Sequence, residues 1–170
     1  MSVLDTLVID RTQADVARTS ELARKINRGE ATAEEIAEYP VILQRGSYTA
    51  TVLNRVGSAM LYCESILNDA GISVELVGVR TNWGNLDLPT DSQMQDYLDN
   101  LSALKTALNS PTYFPNLPSS MSGLTYDSAN KIEMLLKEIE LELERIYAAM
   151  VRSNQFNLYC GGFTMPVGGA

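Results

Sequence analysis

The stretch T-Y-D-S-A-N-K-I-E-M-L-L-K-E-I-E-L-E-L-E-R-I-Y-A-A-M-V-R, residues 125–152, decides the fold of this chain. Its apolar residues recur at steps of four and three, in the set Ile132, Leu136, Ile139, Leu143, Ile146 and Met150. In an α-helix this spacing places all six side chains on one stripe. Charged residues such as Glu133 and Lys137 lie between them, on faces expected to meet water. The stretch therefore predicts a long amphipathic helix on which the other helices pack.

Two further segments have the same periodicity. Segment 49–70 has apolar residues at steps of four and three, in the set Val52, Val56, Ala59, Cys63, Ile66 and Ala70. Segment 90–109 opens with the capping-box spacing of Thr90 and Gln93, and its apolar face consists of Met94, Leu98, Leu101, Leu104 and Leu108. We therefore predict a mainly α protein, a helical bundle of three long helices at about 49–70, 90–109 and 125–152.

An arm and a helical hairpin are predicted ahead of the bundle, over residues 1–46. One helix begins at Asp10 or Thr12 and a second at Thr32. Thr12 and Thr32 are each followed three positions later by an acidic residue, the spacing of a capping box. Pro40 is expected to end the second helix, since proline disfavours helical backbone in the residue before it. This hairpin has few apolar residues, so it could pack on its own bundle or on a neighbouring subunit.

A small β ribbon is predicted from two segments in which apolar and other residues alternate. The segments are at about 74–80 and 156–165, and the period of two is that of a strand. The expected organisation is therefore the arm and hairpin, a bundle core over 47–153 and a C-terminal ribbon or tail over 154–170. A chain of 170 residues fits one domain with such appendages.

Composition narrows the class of function. The net charge is −8 and the basic residues are scattered, which disfavours binding to nucleic acid. Histidine is absent, and Cys63 and Cys160 form no CxxC motif, so no metal site, cofactor site or catalytic triad is predicted. No signal peptide and no apolar run of about 18 residues is seen, so we expect a protein made in the cytoplasm without membrane insertion. The expectation is a protein that is not an enzyme.

Trp83, the only tryptophan, has two interpretations. Its ring could stack on a sugar together with Tyr113 or Phe114, as in a carbohydrate-binding module. It could equally plug one end of the bundle. The second interpretation is favoured, because Leu86 and Leu88 beside it are also expected to be buried.

Several segments together resemble small structural modules found in phages and prophages of Gram-positive bacteria. These modules occur in tail, baseplate or fibre-associated proteins, including phage-tail-like particles. The matching segments cover most of the chain in order: D-R-T-Q-A-D-V (10–16), Y-T-A-T-V-L-N-R-V-G (48–57), R-T-N-W through L-D-N-L (80–101), M-S-G-L-T-Y-D-S-A-N-K-I-E (121–133) and F-N-L-Y-C-G-G-F (156–163).

The resemblance implies a virion component of the tail, assembled in the host cytoplasm and repeated by symmetry. Its expected partners are other tail, baseplate or fibre proteins and further copies of the chain, in a trimer or higher oligomer. The family has no catalytic residues to transfer. Two alternatives stay open, a cell-wall carbohydrate-binding module of a tail tip and a hydrolase that uses two facing carboxyl groups.

Candidate interface residues lie mostly at the end of the chain, where aromatic and apolar residues follow the long helix. The predicted interface residues are Phe156, Leu158, Tyr159, Phe163, Met165 and, in the loop before the second bundle helix, Trp83.

Overall fold

The computed structural model describes residues 2–160, with side chains described for residues 2–152. This part of the chain is mainly helical, as predicted. A short 3-10 helix, Val3–Thr6, precedes the five α-helices of the described chain, α1 Gln13–Arg28, α2 Ala33–Gly46, α3 Ala50–Asp69, α4 Asp91–Ala107 and α5 Tyr126–Cys160. Helices α3 and α4 lie within the predicted segments 49–70 and 90–109. Helix α5 begins as predicted but continues beyond residue 152.

The core lies where α3, α4 and α5 pack together. It is built from the apolar stripes that the sequence predicts. Helix α3 buries Val52, Val56, Ala59, Met60, Cys63 and Leu67, α4 buries Leu98, Leu101 and Leu104, and α5 buries Ile132, Leu135, Leu136, Ile139 and Leu143. The three helices are thus held together mainly by the removal of aliphatic side chains from water.

The N-terminal arm, residues 2–11, packs on the bundle of its own chain. Leu4 and Leu7 are buried in the core beside α3. The hydroxyl of Ser2 contacts Glu140 of α5, with its Oγ 3.3 Å from the carboxylate Oε1. The arm is therefore part of the core and covers one side of α3 and α5.

Helices α1 and α2 form the predicted hairpin and pack chiefly on each other. Both capping boxes are present, at Thr12 and at Thr32. Helix α2 does not end before Pro40, however, and continues to Gly46, so the predicted stop is wrong. The second half of α2 is fixed by contact with α1, where the Thr19 hydroxyl donates to the Ile42 carbonyl at 3.0 Å. Such tertiary contacts offset the main-chain hydrogen bond that proline cannot make.

The predicted β ribbon is wrong where the structure can be compared with it. Residues 74–80 form no strand and bend at Gly78, whose φ is 65°, and no strand is present within residues 2–160. Side-chain amides take the place of a partner strand. Asn100 accepts from the Val77 N–H at 2.9 Å and donates to its carbonyl at 2.8 Å, and Asn68 binds both main-chain groups of Val74 in the same way. The backbone is thereby satisfied without a sheet.

The second predicted strand, at 156–165, is not a strand in its described part. Residues 156–160 are the last part of α5, and residues 161–165 lie outside the described chain. The alternation over five residues does not outweigh the preceding helix, because lengthening an existing helix adds one hydrogen bond for each residue fixed.

Candidate functional site

The most polar part of the interior is a cluster of Arg11, Arg55 and Glu133. Glu133 was expected to face water, yet its side chain is completely buried. Its carboxylate accepts from the Val8 N–H at 2.6 Å, from Arg55 at 3.1 Å and, in a closer contact, from the Arg11 guanidinium. Asn130 accepts from the Arg11 N–H at 3.0 Å and donates to its carbonyl at 2.9 Å. The cluster thus ties the arm to α3 and α5.

The polar groups of this cluster bind one another. Both oxygens of Glu133 are occupied by donors, so no free carboxylate is left to act on a ligand. The Tyr48 and Tyr97 hydroxyls lie nearby, 2.6 Å apart, and burial raises the pKa of each phenol well above its usual value. Removing Glu133 would leave the two arginines without their counter-charge in the interior.

Residues from four well-separated segments of the sequence meet at this cluster. Arg11 belongs to segment 10–16, Arg55 and Tyr48 to 48–57, Tyr97 to 80–101, and Asn130 and Glu133 to 121–133. No single segment of the sequence could have revealed this site, because its members are brought together only by the fold. The only signals in the sequence that could have pointed to the cluster were Arg11 in D-R-T and Glu133 in N-K-I-E.

Trp83 is a core residue. Its side chain is 8% exposed, and the Arg80 guanidinium carbon lies 4.2 Å from the ring centroid. Asn54 of α3 holds both main-chain groups of Trp83, accepting from its N–H at 2.6 Å and donating to its carbonyl at 2.9 Å. The ring is therefore covered by protein and packs on the side of α3 and α4.

The residues expected beside Trp83, either to bind a sugar with it or to be buried with it, do not lie beside it. The groove beside Trp83, with a volume of about 90 Å³, includes neither Tyr113 nor Phe114 in its lining. Phe114 is buried, whereas Tyr113 is half exposed and contacts Glu142 of α5. Leu86 was expected to be buried beside the tryptophan but is 95% exposed.

Leu88 was likewise expected to be buried and is 88% exposed. The loop that contains both leucines is fixed instead by polar groups, because Asp87 accepts from the Gly84 N–H at 2.8 Å and pairs with Arg80. The side chains of Leu86 and Leu88 consequently lie on the surface of the protein.

The carboxylates of Glu35 and Glu38 on α2 pair with basic side chains of α1. Within the described residues, no cluster of three or more His, Cys, Asp or Glu side chains could hold a metal ion. Side-chain hydrogen bonds from Lys25 and Arg18 lower the pKa of Glu35 and Glu38 respectively. Carboxylates with lowered pKa values stay ionised at neutral pH, whereas a general acid needs a raised one.

The far end of α5 projects past the core. Leu143 is the last fully buried residue of its stripe, and Ile146 is half buried. Beyond it Met150 and Val151 are each 56% exposed, although the helix continues to Cys160. The stripe that forms the core therefore continues into solvent.

Five of the predicted interface residues fall on or beyond this projecting end. Phe156, Leu158 and Tyr159 lie on the last turns of α5, where only the backbone is described. Phe163 and Met165 lie outside the described residues.

A groove between α3 and α5 adjoins the projecting end, and we call it the α3–α5 groove. It has a volume of about 290 Å³. Its apolar lining is Tyr62, Ile66, Leu143 and Tyr147, and its acidic lining is Asp69, Glu140 and Glu144. An apolar surface bordered by acids suits an apolar partner that is neutral or basic.

Comparisons with known proteins identify no relative. No protein-family model matches the chain, and neither the curated proteins nor the solved structures contain a match. Among the described residues, no helix is long and apolar enough to cross a membrane.

Proposed function

We propose that this chain is a structural component of a phage tail or phage-tail-like particle, at the baseplate or fibre-attachment region. It acts by associating with further copies of itself, in a trimer or higher oligomer, and by docking to other tail proteins. A non-catalytic role is part of this proposal. So is its location, in the virion tail after assembly in the host cytoplasm.

The observation that carries the proposal is the projecting end of α5. A helix of 35 residues is about 52 Å long, and only its first half is embedded in the core. An apolar stripe that leaves the core, as at Met150 and Val151, is typical of a surface that another protein covers. The resemblance of the sequence to phage tail modules is the reason for proposing a tail as the assembly in which this surface is covered.

The rest of the fold suits an anchor for this helix. The cluster of Arg11, Arg55 and Glu133 joins the arm and α3 to the embedded half of α5. Force on the projecting end would therefore be spread over three elements. Sugar binding by Trp83 has no comparable support, because its ring is covered by Arg80 and by the bundle.

The test is to find the protein in particles. Phage or phage-tail-like particles released by the encoding strain are purified and analysed by mass spectrometry, and an antibody against the protein is located by electron microscopy. We expect the protein at the distal end of the tail in a fixed ratio to the tail tube protein. Its absence from intact particles, or complete tails in a strain that lacks the gene, would rule the proposal out.

A further inference from the structure

We propose that the projecting end of α5 from a second copy of this chain binds antiparallel along the α3–α5 groove. Each copy then fills the groove of the other, so the contact is two-fold symmetric. This inference rests on the self-association within the proposed function and specifies one of its contacts. A two-fold pair closes as a dimer, so the trimer or higher oligomer requires a second contact in the particle.

The first argument is the state of the projecting end itself. From Tyr147 to Cys160 the helix runs for about 14 residues beyond the core, a length at which an isolated helix is marginal in water. Every described side chain from Tyr147 to Arg152 is exposed. Such a segment is stabilised when its apolar residues pack on another surface.

The second argument is charge. The groove presents Asp69, Glu140 and Glu144, and neither Asp69 nor Glu144 has an ion-pair partner within the described residues. The occupant should therefore be free of acids. Segment 145–160 of the same chain contains two arginines, Arg145 and Arg152, and no acidic residue. A second copy of this segment would therefore bring no acidic side chain into the groove.

The third argument sets the direction. Along α5 the acids Glu138, Glu140, Glu142 and Glu144 precede the two arginines. Two parallel helices would place these acids side by side, which is unfavourable. Two antiparallel helices place Glu144 of each copy against the uncharged end of the partner helix and keep Glu138, Glu140 and Glu142 of the two copies far apart. The antiparallel arrangement also directs the two bundles away from each other.

The length of the projecting end determines how far the two α5 helices overlap. If Cys160 of one copy reaches the level of Leu143 in the groove of the other, the helices cross near residue 151, midway between them. About 17 residues then overlap, a span of about 26 Å at the helical rise. Val151 is consequently close to the two-fold axis, whereas the two Cys160 side chains lie at opposite ends.

Sedimentation velocity tests the surface. We expect the full chain to form dimers or larger even-numbered assemblies, and M150E combined with V151E to sediment as a monomer with unchanged helical circular dichroism. V41E is the matched control, because Val41 is exposed on α2, away from the groove. Monomeric wild-type protein at about 100 µM, or a double variant that associates like the wild type, would overturn the inference.

Oxidative cross-linking tests the direction. In a C160S background, V151C should form a disulfide between copies. The native Cys160 should not cross-link, because the antiparallel arrangement separates the two thiols by roughly the full overlap. A Cys160 to Cys160 disulfide would show parallel helices and overturn the inference. Failure of V151C to cross-link would do the same.

The two proposals fail separately. Protein that is monomeric in solution yet present in purified particles would refute the α5 pairing and leave the proposed function intact. Protein that pairs through α5 but is absent from the particles would refute the proposed function alone.

Discussion

Arg11 in the N-terminal arm and Glu133 in α5 form an ion pair that is almost completely buried, although 122 residues separate them in the chain. Arg55 of α3 binds the same carboxylate at 3.1 Å. One negative charge therefore holds two positive charges, and it does so inside the protein, where charges are poorly solvated. This relationship makes Glu133 the residue on which the position of the arm depends.

The first prediction is that E133Q strongly destabilises the protein. Glutamine keeps the shape of the side chain but leaves both arginines without their counter-charge, so we expect a loss of about 3–5 kcal/mol in the free energy of unfolding. Urea denaturation followed by circular dichroism measures it. E21Q, which removes an exposed partner of Arg18, should change the same free energy by less than about 1 kcal/mol. Equal effects of the two variants would contradict the prediction.

The second prediction concerns segment 74–80. N100A removes both hydrogen bonds to the main chain of Val77, so we expect a loss of about 1–3 kcal/mol in stability. Hydrogen exchange should accelerate at residues 76–79. Q95A on the exposed face of the same helix is the control, and it should leave the exchange of this segment unchanged. Unchanged exchange in N100A would show that other contacts hold the segment.

The third prediction separates packing from recognition at Trp83. Because the ring is buried, W83A should lower the free energy of unfolding by about 3–5 kcal/mol. W83F, which refills part of the space, should lose less. If W83A instead unfolds at the wild-type denaturant concentration, the ring contributes little to the core and a recognition role regains support.

The fourth prediction is a loss of hairpin stability in acid. Hydrogen bonds from Lys25 and Arg18 lower the pKa of Glu35 and Glu38 below the ordinary value of 4.5. Their stabilisation is therefore complete above about pH 4.5 and is lost as the pH falls through the lower, folded-state pKa values.

Thermal melting between pH 7 and pH 3 measures this effect. A variant with E35Q and E38Q should show a smaller loss of melting temperature on acidification, because two of the titrating groups are gone. The amide that E35Q introduces can still accept from the Thr32 N–H, so the capping box is kept. An identical loss in the variant and the wild type would mean that other groups dominate the acid response.

Periodicity in the sequence was sufficient to predict the helical class and part of the buried stripes. The stripe in α5 is buried at Ile132, Leu136, Ile139 and Leu143, because burial of aliphatic side chains at helical spacing decides both features. Segment 74–80 was misread as a strand, since alternation cannot show that Asn68 and Asn100 would supply hydrogen bonds to its main chain.

The residues of the buried cluster could not be found from local pattern. Glu133 flanks the apolar stripe and looks like its solvent-facing neighbours until Arg11 and Arg55 are brought to it from distant parts of the chain. Exposure at Leu86 was also missed, because the expectation of burial assumed that every leucine beside Trp83 joins the core.

The docking of the arm has a consequence for the order of folding. During synthesis the arm leaves the ribosome before its acceptor, Glu133, which is made 122 residues after Arg11. The hairpin of α1 and α2 depends on near neighbours in sequence and can form early, whereas the core cannot close before α5 has emerged. Leu4 and Leu7 therefore cannot reach their final buried positions until α5 has been made.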